Sequence, residues 1–497
     1  MSEPLLSEVS RAGRIGHLLV NPSQCEGALD DLPAEALRDD LRLPELSELD
    51  VVRHFTHLSS LNHSIDAGFY PLGSCTMKYN PKVNEDVSRL PGFAHIHPLQ
   101  PDETVQGALR AMLELQQLLA AVTGFDAVTL QPAAGAQAEL CGMLLIRAYH
   151  HERGQTQRTR VLIPDSAHGT NPATAAMCGY ETVAIPTDSH GNVDLARLKA
   201  EADERTVGLM LTNPNTLGLF EQEILEVTET VHRAGGLVYG DGANLNAILG
   251  AVKPADVGFD VVHINTHKTF STPHGGGGPG CGPVAVTSAL EPYLPRPVVV
   301  ERPSGSLELD WDRPRSIGKL KGFWGHFGIM ARALTYITMQ GDSGLRDISE
   351  TAVLNANYLK ARLKDVYHVP FDRVCMHEFV ASGRNQKAHG VRTLDIAKRL
   401  IDFGIHPPTI YFPLIVEEAI MVEPTESESK DTLDNFVDVM VQIAQEAVDS
   451  PELIHEAPHN RVVGRLDEVS AARRPVLRWS NDWPTEHNGA PSTSARS

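Results

Sequence analysis

The sequence predicts an α/β protein whose larger domain is built on a mostly parallel β-sheet. Between residues 104 and 288, short apolar runs alternate with amphipathic runs, a pattern typical of a parallel sheet with helices on both faces. The apolar runs that predict strands lie at residues 161–163, 207–212, 237–240 and 261–264. An ionisable residue follows each of the last two runs, so we expect a ligand site at the carboxyl edge of the sheet.

Helical patterns fall around and between these strands. The first covers residues 104–124, where apolar side chains share one helical face and Gly124 ends the helix. Further helical patterns lie at residues 136–150, 194–203 and 221–234. Residues 282–288 predict one more strand, after a glycine-rich loop.

The segments on either side of this region have different patterns. Residues 45–100 are rich in His, Asn, Pro and Gly and predict ordered irregular structure, which includes the run at 69–81. Beyond residue 330, amphipathic helices at residues 394–404 and 433–447 predict a second, smaller α/β domain. We predict an N-terminal arm and irregular segment (1–100), a large domain (101–330), a smaller C-terminal domain (331–483) and a disordered tail (484–497).

The composition is that of an ordinary globular protein, with 42% hydrophobic and 21% charged residues. A net charge of −20 argues against nucleic acid and anionic membranes as partners. No apolar stretch approaches the roughly 20 residues of a membrane helix, and the N-terminus lacks the apolar core of a signal peptide. Six irregularly spaced cysteines favour a reducing compartment, so we expect a soluble, cytoplasmic protein.

Lys268 and Asp241 are the strongest candidates for catalytic chemistry. Lys268 follows a predicted strand and precedes a glycine-rich loop, so it is expected at the mouth of the sheet with open backbone beside it. A lysine amine that is partly buried there is a suitable nucleophile for a carbonyl group. Asp241 ends the preceding strand, although Asp-Gly is also a common turn. A lysine that forms an imine and a carboxylate that holds a pyridinium nitrogen together indicate a pyridoxal-phosphate enzyme.

Two further features fit a flat, phosphorylated cofactor. Ala134, Gly135 and Ala136 lead directly into a predicted helix, where exposed amides can bind a phosphate and His267 can add a donor. The same small residues could instead form a tight loop for conformational reasons alone. His168 follows a predicted strand and is expected to stack on the cofactor ring, although a lone histidine is more often a packed residue.

Other motifs in the sequence are weaker. Gly275, Gly277 and Gly280 have the spacing of a dinucleotide-binding loop, but they follow a polar run and lead into a predicted strand, not a helix. The histidines, although numerous, do not form the paired spacing of a metal site on one helix. We therefore predict neither a dinucleotide site nor a metal site.

Eight runs together resemble the glycine dehydrogenase (decarboxylating) family, the P-proteins of the glycine cleavage system. The runs are FYPLGSCTMKYNPK, QPAAGAQAE, AHGTNPATA, YGDGAN, HINTHKTFSTPHGGGGPG, RTLDIAKRL, HPPTIYFPLIV and VEPTESESK. They lie between about residues 55 and 430, in the order that the family shows. In length the chain resembles the cofactor-binding subunit of the two-subunit form, since the single-chain form is about twice as long.

The resemblance implies a fold-type-I pyridoxal-phosphate enzyme in which Lys268 binds the cofactor, Asp241 holds its ring nitrogen and His168 lies over the ring. It implies decarboxylation of glycine, with transfer of the aminomethyl group to the lipoyl arm of the H-protein. It also implies a companion subunit (subunit 1), with two copies of each subunit in a heterotetramer. Thr266 and Cys281 depart from the leucine and the small residue expected in the family, and neither departure removes a required group.

Two other functions remain open from the sequence. One is another fold-type-I enzyme, an aminotransferase or amino-acid decarboxylase that works without a lipoyl partner. The other is a scaffold subunit that does no chemistry. The group that binds the substrate carboxylate is not identified, and the run at 69–81 is either close to the substrate entrance or a structural loop.

Overall fold

The computed structural model describes residues 3–16, 32–37, 43–97, 100–274, 280–323 and 325–478. The chain divides into two compact units, one formed by residues 1–68 with 458–497 and the other by residues 69–457. None of the helices in the described part of the chain has both the length and the apolar character needed to cross a bilayer. The predicted disordered tail, residues 484–497, lies outside the described residues.

The first unit contains helices α1 (Leu6–Val9) and α2 (Glu48–Leu61), and a short helix near its end at Glu468–Arg473. Irregular structure is predicted across residues 45–100, and this prediction is wrong for α2 and for two shorter helices of the second unit, Lys82–Ser88 and Pro91–Ala94. Ser47 Oγ accepts a hydrogen bond from the Asp50 amide, and the Asp50 carboxylate accepts one from the Ser47 amide. This reciprocal cap satisfies two free amides and starts a helix in a stretch whose composition is not strongly helical.

The second unit is built on a seven-stranded sheet. Its strands are β1 (Ala127–Thr129), β2 (Arg160–Pro164), β3 (Glu181–Ile185), β4 (Thr206–Thr212), β5 (Leu237–Gly242), β6 (Val261–Ile264) and β7 (Val284–Val286). Their order across the sheet is β1-β7-β6-β5-β4-β2-β3, and only the β7 pairings are antiparallel. The predicted, mostly parallel sheet and its five predicted strands are confirmed. The three-residue β1 and the largely exposed β3 carry too few apolar residues to be recognised.

Both faces of this sheet are covered, because successive residues of its buried strands point to opposite sides. Leu209 and Val238 belong to one apolar cluster, while their neighbours Met210 and Tyr239 belong to another. The helices of this region are α3 (Lys82–Ser88), α4 (Pro91–Ala94), α5 (Gln106–Thr123), α6 (Gly135–Glu152), α7 (Thr170–Met177), α8 (Leu195–Glu201), α9 (Ile224–Arg233) and α10 (Thr266–Thr269). The helices predicted at 104–124, 136–150, 194–203 and 221–234 are thus confirmed.

A smaller antiparallel sheet lies in the C-terminal part of the second unit. After a hairpin of β8 (Val298–Glu301) and β9 (Leu307–Asp310) come the sheet's strands β10 (Phe379–Ser382), β11 (Thr409–Ile410) and β12 (Ala419–Val422), in the order β10-β12-β11. The helices here are α11 (Phe327–Leu363), α12 (Arg384–Lys387), α13 (Thr393–Asp402), α14 (Lys430–Asp449) and α15 (Pro451–His455). The helices α13 and α14 confirm two predictions. The helix α11 is broken at Gly341, where φ is 64°. Its residues up to Ile348 pack on the large core and those from Ala356 onward pack on the small core.

The run at 69–81 is ordered without forming a helix, as predicted. Leu72 makes a single antiparallel bridge to Val422 of β12. At the next residue, Gly73, a Cβ atom would lie 2.2 Å from Met421 Cγ, so only glycine fits against this strand. The run is therefore fastened to the small sheet.

Candidate active site

The carboxyl edge of the large sheet brings together three residues singled out in the sequence. Asp241 lies near the end of β5, in register with His263 of β6, and Lys268 lies in α10 directly after β6. The negative charge of Asp241 raises, and the positive charge of Lys268 lowers, the pKa of both His168 and His263. Asp241, Lys268 and His168 therefore share one site, as expected for residues at the ends of neighbouring parallel strands.

The amine of Lys268 is half-buried and points toward the run at 69–81. Its Nζ atom donates a hydrogen bond to the carbonyl oxygen of Ser74 at 2.6 Å. The sequence left open whether this run lies close to the substrate entrance or is a structural loop. The structure favours a position close to the reacting groups, because Ser74 contacts the candidate catalytic amine.

Asp241 is a buried carboxylate, 5% exposed, whose Oδ1 atom has two polar neighbours. Its Oδ1 atom accepts from the Ala243 amide at 3.0 Å and lies 3.4 Å from Nε2 of His263. His263 is held in turn by Tyr239, whose hydroxyl lies 2.5 Å from Nδ1. Burial lowers the pKa of His263, so this imidazole is neutral near pH 7 and supports Asp241 as a hydrogen-bonding group.

The predicted phosphate cradle lies at the start of α6. Ala134 is the N-cap residue and its side chain offers no cap, so the first amides of this 18-residue helix are available to an anion. A Cβ atom at Gly135 would lie 2.4 Å from Asn265 Oδ1, which leaves room only for glycine. Ala136, the next residue, is exposed.

His267 lies close to the glycine-rich loop that leads into β7. A Cβ atom at Gly280 would lie 2.3 Å from His267 Nδ1, and one at Gly282 would lie 2.5 Å from the Ala134 carbonyl oxygen. Gly280 and Gly282 thus lie against His267 and the start of α6. Nδ1 of His267 is buried and has no hydrogen-bond partner among the described residues, and burial lowers its pKa to about 3. A neutral donor without a partner and a helix start without a cap fit a phosphate group.

His168 is held by a short chain of hydrogen bonds. Its Nδ1 atom lies 2.9 Å from Thr170 Oγ1, which in turn lies 2.8 Å from Glu139 Oε2. Burial, and to a lesser extent Asp241, raises the pKa of Glu139 to about 7. The His168 ring also meets Phe412 edge-on, with centroids 6.0 Å apart, so both parts of the second unit fix its orientation.

The sequence analysis missed a fully buried cluster of His377, Glu378 and Glu423. His377 Nε2 lies 3.7 Å from Glu378 Oε1 and 4.0 Å from Glu423 Oε1. The ligand atoms of all three residues lie within 4.8 Å of one another, a spacing that a metal ion could also bridge. Glu423 directly follows β12, so an acidic residue at the end of an apolar strand, the signal that identified Asp241, could have revealed it.

Comparison with known families and proteins gives a consistent result. Residues 28–301 match the family described as glycine cleavage system P-protein, and residues 348–462 match the one described as glycine dehydrogenase, C-terminal domain. A probable glycine dehydrogenase (decarboxylating) subunit 2 from Exiguobacterium sibiricum is 61% identical, over 96% of this chain and 97% of the relative. The protein of the same description from Halalkalibacterium halodurans is 60% identical, over 96% of this chain and 98% of the relative.

Solved structures resemble the fold over most of its length. A crystal structure of glycine decarboxylase (P-protein) of the glycine cleavage system, in inhibitor-bound form, has a TM-score of 0.71 at 22% identity, over 84% of this chain and 94% of that chain. A sphingosine-1-phosphate lyase from Burkholderia pseudomallei has a TM-score of 0.63 at 14% identity, over 86% of this chain and 97% of that chain. These likenesses show the fold, which is fold type I of the pyridoxal-phosphate enzymes, as predicted.

Proposed function

The chain belongs to the glycine cleavage system P-protein family, and its relatives are described as glycine dehydrogenase (decarboxylating) subunit 2. We propose that Lys268 is the residue that carries out the reaction of this family, the decarboxylation of glycine. The observation that supports this role is the position of Lys268, which directly follows β6 beside Asp241 near the end of the adjacent parallel strand β5, with its amine hydrogen-bonded to the Ser74 carbonyl oxygen. An aminotransferase or a scaffold subunit is not favoured, because relatives with the glycine dehydrogenase description match over nearly the full length.

The cofactor that fits this site is pyridoxal 5'-phosphate. The uncapped start of α6 at Ala134, Gly135 and Ala136, together with the unpartnered nitrogen of His267, suits its phosphate. When bound, this cofactor supplies an electron sink for the charge left on the substrate carbon after the carboxylate leaves. Lys268 would hold it through its aldehyde carbon.

Three side chains prepare the reaction in this proposal. The buried carboxylate of Asp241 would hold the protonated ring nitrogen of the cofactor, which would let the ring accept negative charge. His168, whose orientation is set by Thr170 and Phe412, would pack on the cofactor ring. Lys268 would hold the cofactor until the amine of glycine replaces it, and the displaced lysine would then carry the positive charge of an ammonium group.

The electrons of the broken bond need an acceptor outside this chain, and we propose the lipoyl disulfide of the H-protein. The carbon–carboxylate bond breaks and CO2 leaves, and the electron pair forms a bond from carbon to one sulfur. The sulfur–sulfur bond breaks, and the second sulfur takes a proton, so the disulfide is reduced as the glycine carbon is oxidised. A heterotetramer with subunit 1, two copies of each, and a cytoplasmic location complete the proposal.

The proposal is tested by the release of labelled CO2 from carboxyl-labelled glycine. We expect release only when the chain is combined with pyridoxal phosphate, subunit 1 and lipoylated H-protein. Lys268→Ala should abolish release and should leave no cofactor attached to the protein after borohydride reduction, as read by mass spectrometry. A Lys268→Ala protein that keeps the reduced adduct would contradict the site, and release without lipoylated H-protein would favour a simple decarboxylase.

A further inference from the structure

The hydrogen-bond partner of the Lys268 amine belongs to a loop that two buried carboxyl groups hold from the other side. Lys268 Nζ donates to the Ser74 carbonyl oxygen at 2.6 Å. Glu378 Oε2 accepts from the Ser74 amide at 2.7 Å, and Glu423 Oε2 accepts from the Thr76 amide at 3.1 Å. The Thr76 hydroxyl also donates to Glu423 Oε1 at 2.5 Å. The loop therefore lies between the amine and the two carboxyl groups.

The backbone of this loop is held in an unfavourable conformation. Ser74 has φ 64° and Thr76 has φ 43°, in the left-handed region that side chains other than those of Gly, Asn and Asp seldom adopt. Just before it, the Gly73 carbonyl accepts from Thr409 Oγ1 at 2.7 Å. A loop kept in this shape by contacts at Gly73, Ser74 and Thr76 presents the Ser74 carbonyl oxygen in a fixed direction, toward the amine.

The charges in this region also favour a positive charge on the Lys268 amine. Glu378, Glu423 and His377 are fully buried, and neither ring nitrogen of His377 has a hydrogen-bond partner among the described residues. Burial raises the pKa of both carboxyl groups, that of Glu423 to about 7, and the positive charge of Lys268 opposes the rise in each. Burial and Lys268 together lower the pKa of His377 to about 3, so His377 adds no positive charge.

We propose that Glu378 and Glu423, acting through the Ser74–Thr76 loop, form a resting site for the protonated amine of Lys268 after glycine has displaced it from the cofactor. The inference rests on the proposed role of Lys268. A metal ion is not needed to explain the buried acidic cluster, because the lysine supplies the compensating positive charge. Both glutamates are positioning residues, since they act through the loop and do not touch the substrate.

The exchange that this site assists is balanced. The carbon–nitrogen double bond to Lys268 is replaced by one to glycine, and the three hydrogens of the glycine ammonium group, with its positive charge, pass to the lysine nitrogen, which leaves as an ammonium group. No redox change occurs. Near pH 7 the pair of Glu378 and Glu423 carries a partial negative charge, because the pKa of Glu423 is about 7 and that of Glu378 is raised further by burial. This charge stabilises the displaced lysine ammonium more than the linked nitrogen, and therefore shifts the exchange toward bound glycine.

The test is a spectroscopic titration with glycine of the full chain, loaded with pyridoxal phosphate and assembled with subunit 1. The visible absorption of the lysine-linked cofactor reports the exchange without turnover, because H-protein is left out. We expect Glu378→Gln/Glu423→Gln to need about tenfold more glycine for half-displacement, as the ammonium loses its counter-charge. The affinity for pyridoxal phosphate should be unchanged or higher, because the lysine-linked state is not the one that loses stabilisation. Each single substitution should have a smaller effect in the same direction.

Glu221→Gln is the matched control. Glu221 is 3% exposed and its carboxylate accepts from the amides of Val193 and Glu223, but the charges that act on it are Asp188 and Arg373. This variant should titrate like the unmodified protein.

Two results would overturn the inference. One is a double variant that titrates with glycine like the unmodified protein. The other is a loss of cofactor affinity as large as the loss of glycine affinity, which a purely structural role would give. If the double variant does not fold, Thr76→Val removes the hydroxyl bond to Glu423 and should weaken displacement by about two- to threefold; an unchanged titration would also overturn the inference. An unmodified protein without any lysine-linked band would instead contradict the proposed function.

Discussion

Asp241 Oδ1 and His263 Nε2 lie 3.4 Å apart on neighbouring parallel strands, both buried. The Tyr239 hydroxyl, 2.5 Å from Nδ1, can donate to that nitrogen and leave the ring proton on Nε2, facing the carboxylate. We assign this tautomer because the opposite one would place a nitrogen lone pair against an ionised oxygen. This tautomer requires the Asn265 side-chain amide, whose Nδ2 atom lies 3.0 Å from the same nitrogen, to be turned over so that its oxygen accepts from Nε2.

His263→Phe should therefore weaken the hold on Asp241. We expect kcat to fall about tenfold, the value of one hydrogen bond to a charged group, with little change in the affinity for pyridoxal phosphate. Steady-state kinetics and a cofactor titration measure the two quantities. Tyr239→Phe, which removes only the hydroxyl, should give a smaller fall, and an unchanged kcat in a folded His263→Phe protein would contradict the assignment.

Asp241→Asn should leave a protein that still binds the cofactor but reacts slowly. Without the negative charge the ring nitrogen loses its proton, so kcat should fall roughly 100-fold. The rate of CO2 release under single-turnover conditions measures this effect. Asp260→Asn is a control, because that carboxylate pairs with His232 and the Val238 amide and is assigned no catalytic role; it should keep kcat near that of the unmodified protein.

Gly135→Ala should weaken cofactor binding. The new Cβ atom would come within 2.4 Å of Asn265 Oδ1, and relieving this overlap must disturb the start of α6. We expect the Kd for pyridoxal phosphate to rise at least about tenfold, measured by fluorescence or absorbance titration. Gly107→Ala, near the start of α5 with no atom within 4 Å of the added Cβ, should leave the Kd unchanged. Equal Kd values for the two variants would contradict a phosphate cradle at α6.

Lys78→Met should destabilise the protein without touching the reacting groups. The Lys78 ammonium donates to Glu426 Oε1 at 2.8 Å and to the Thr269 carbonyl at 2.9 Å, and its side chain is 1% exposed. Removal leaves Glu426 without its ion-pair partner, which should lower the free energy of unfolding by about 3–5 kcal/mol in urea denaturation. Lys78→Met/Glu426→Gln should recover part of the loss.

The exposed pair of Lys430 and Asp434 provides the comparison for that experiment. Solvent screens its charges, so Lys430→Met should shift the urea midpoint only slightly. A Lys78→Met protein as stable as Lys430→Met would show that the buried pair of Lys78 and Glu426 does not hold the run at 69–81 against α10.

Glu139 should make the stability of the cofactor-free protein depend on pH. Its pKa is raised from 4.5 to about 7 in the folded chain, so between these values the folded state keeps a proton that the unfolded state has released. The free energy of unfolding should consequently fall as pH rises through this window, by up to about 3 kcal/mol from this group. Glu139→Gln should remove that part of the slope in urea denaturations at a series of pH values. Parallel curves for the two proteins would contradict the raised pKa.

The predictable and the unpredictable parts of the site have different physical origins. Lys268 and Asp241 could be found because each follows an apolar strand, and parallel strands end at a common edge. Glu423 also follows an apolar strand and could have been singled out, but its contact with the site, like that of Glu378, depends on the packing of the small sheet onto the large domain. The left-handed conformation of Ser74 leaves no trace in composition, since serine rarely adopts it.

The same distinction applies to the secondary structure. The buried strands and the long amphipathic helices follow from periodicity, which is a local property of the sequence. The helix α2 depends on a two-residue cap at Ser47 and Asp50, which outweighs a weakly helical composition. The Gly275, Gly277 and Gly280 motif was discounted, and its first two glycines lie outside the described residues.

The run at 69–81 bonds to β12 through Leu72 and to the reactive amine through Ser74. A displacement of that strand should consequently reach the Lys268 amine along two residues of backbone. Substitutions beneath the small sheet, away from the ligand site, should thus alter how readily glycine displaces Lys268 from the cofactor. A binding partner that displaced the small sheet would have the same effect on this exchange.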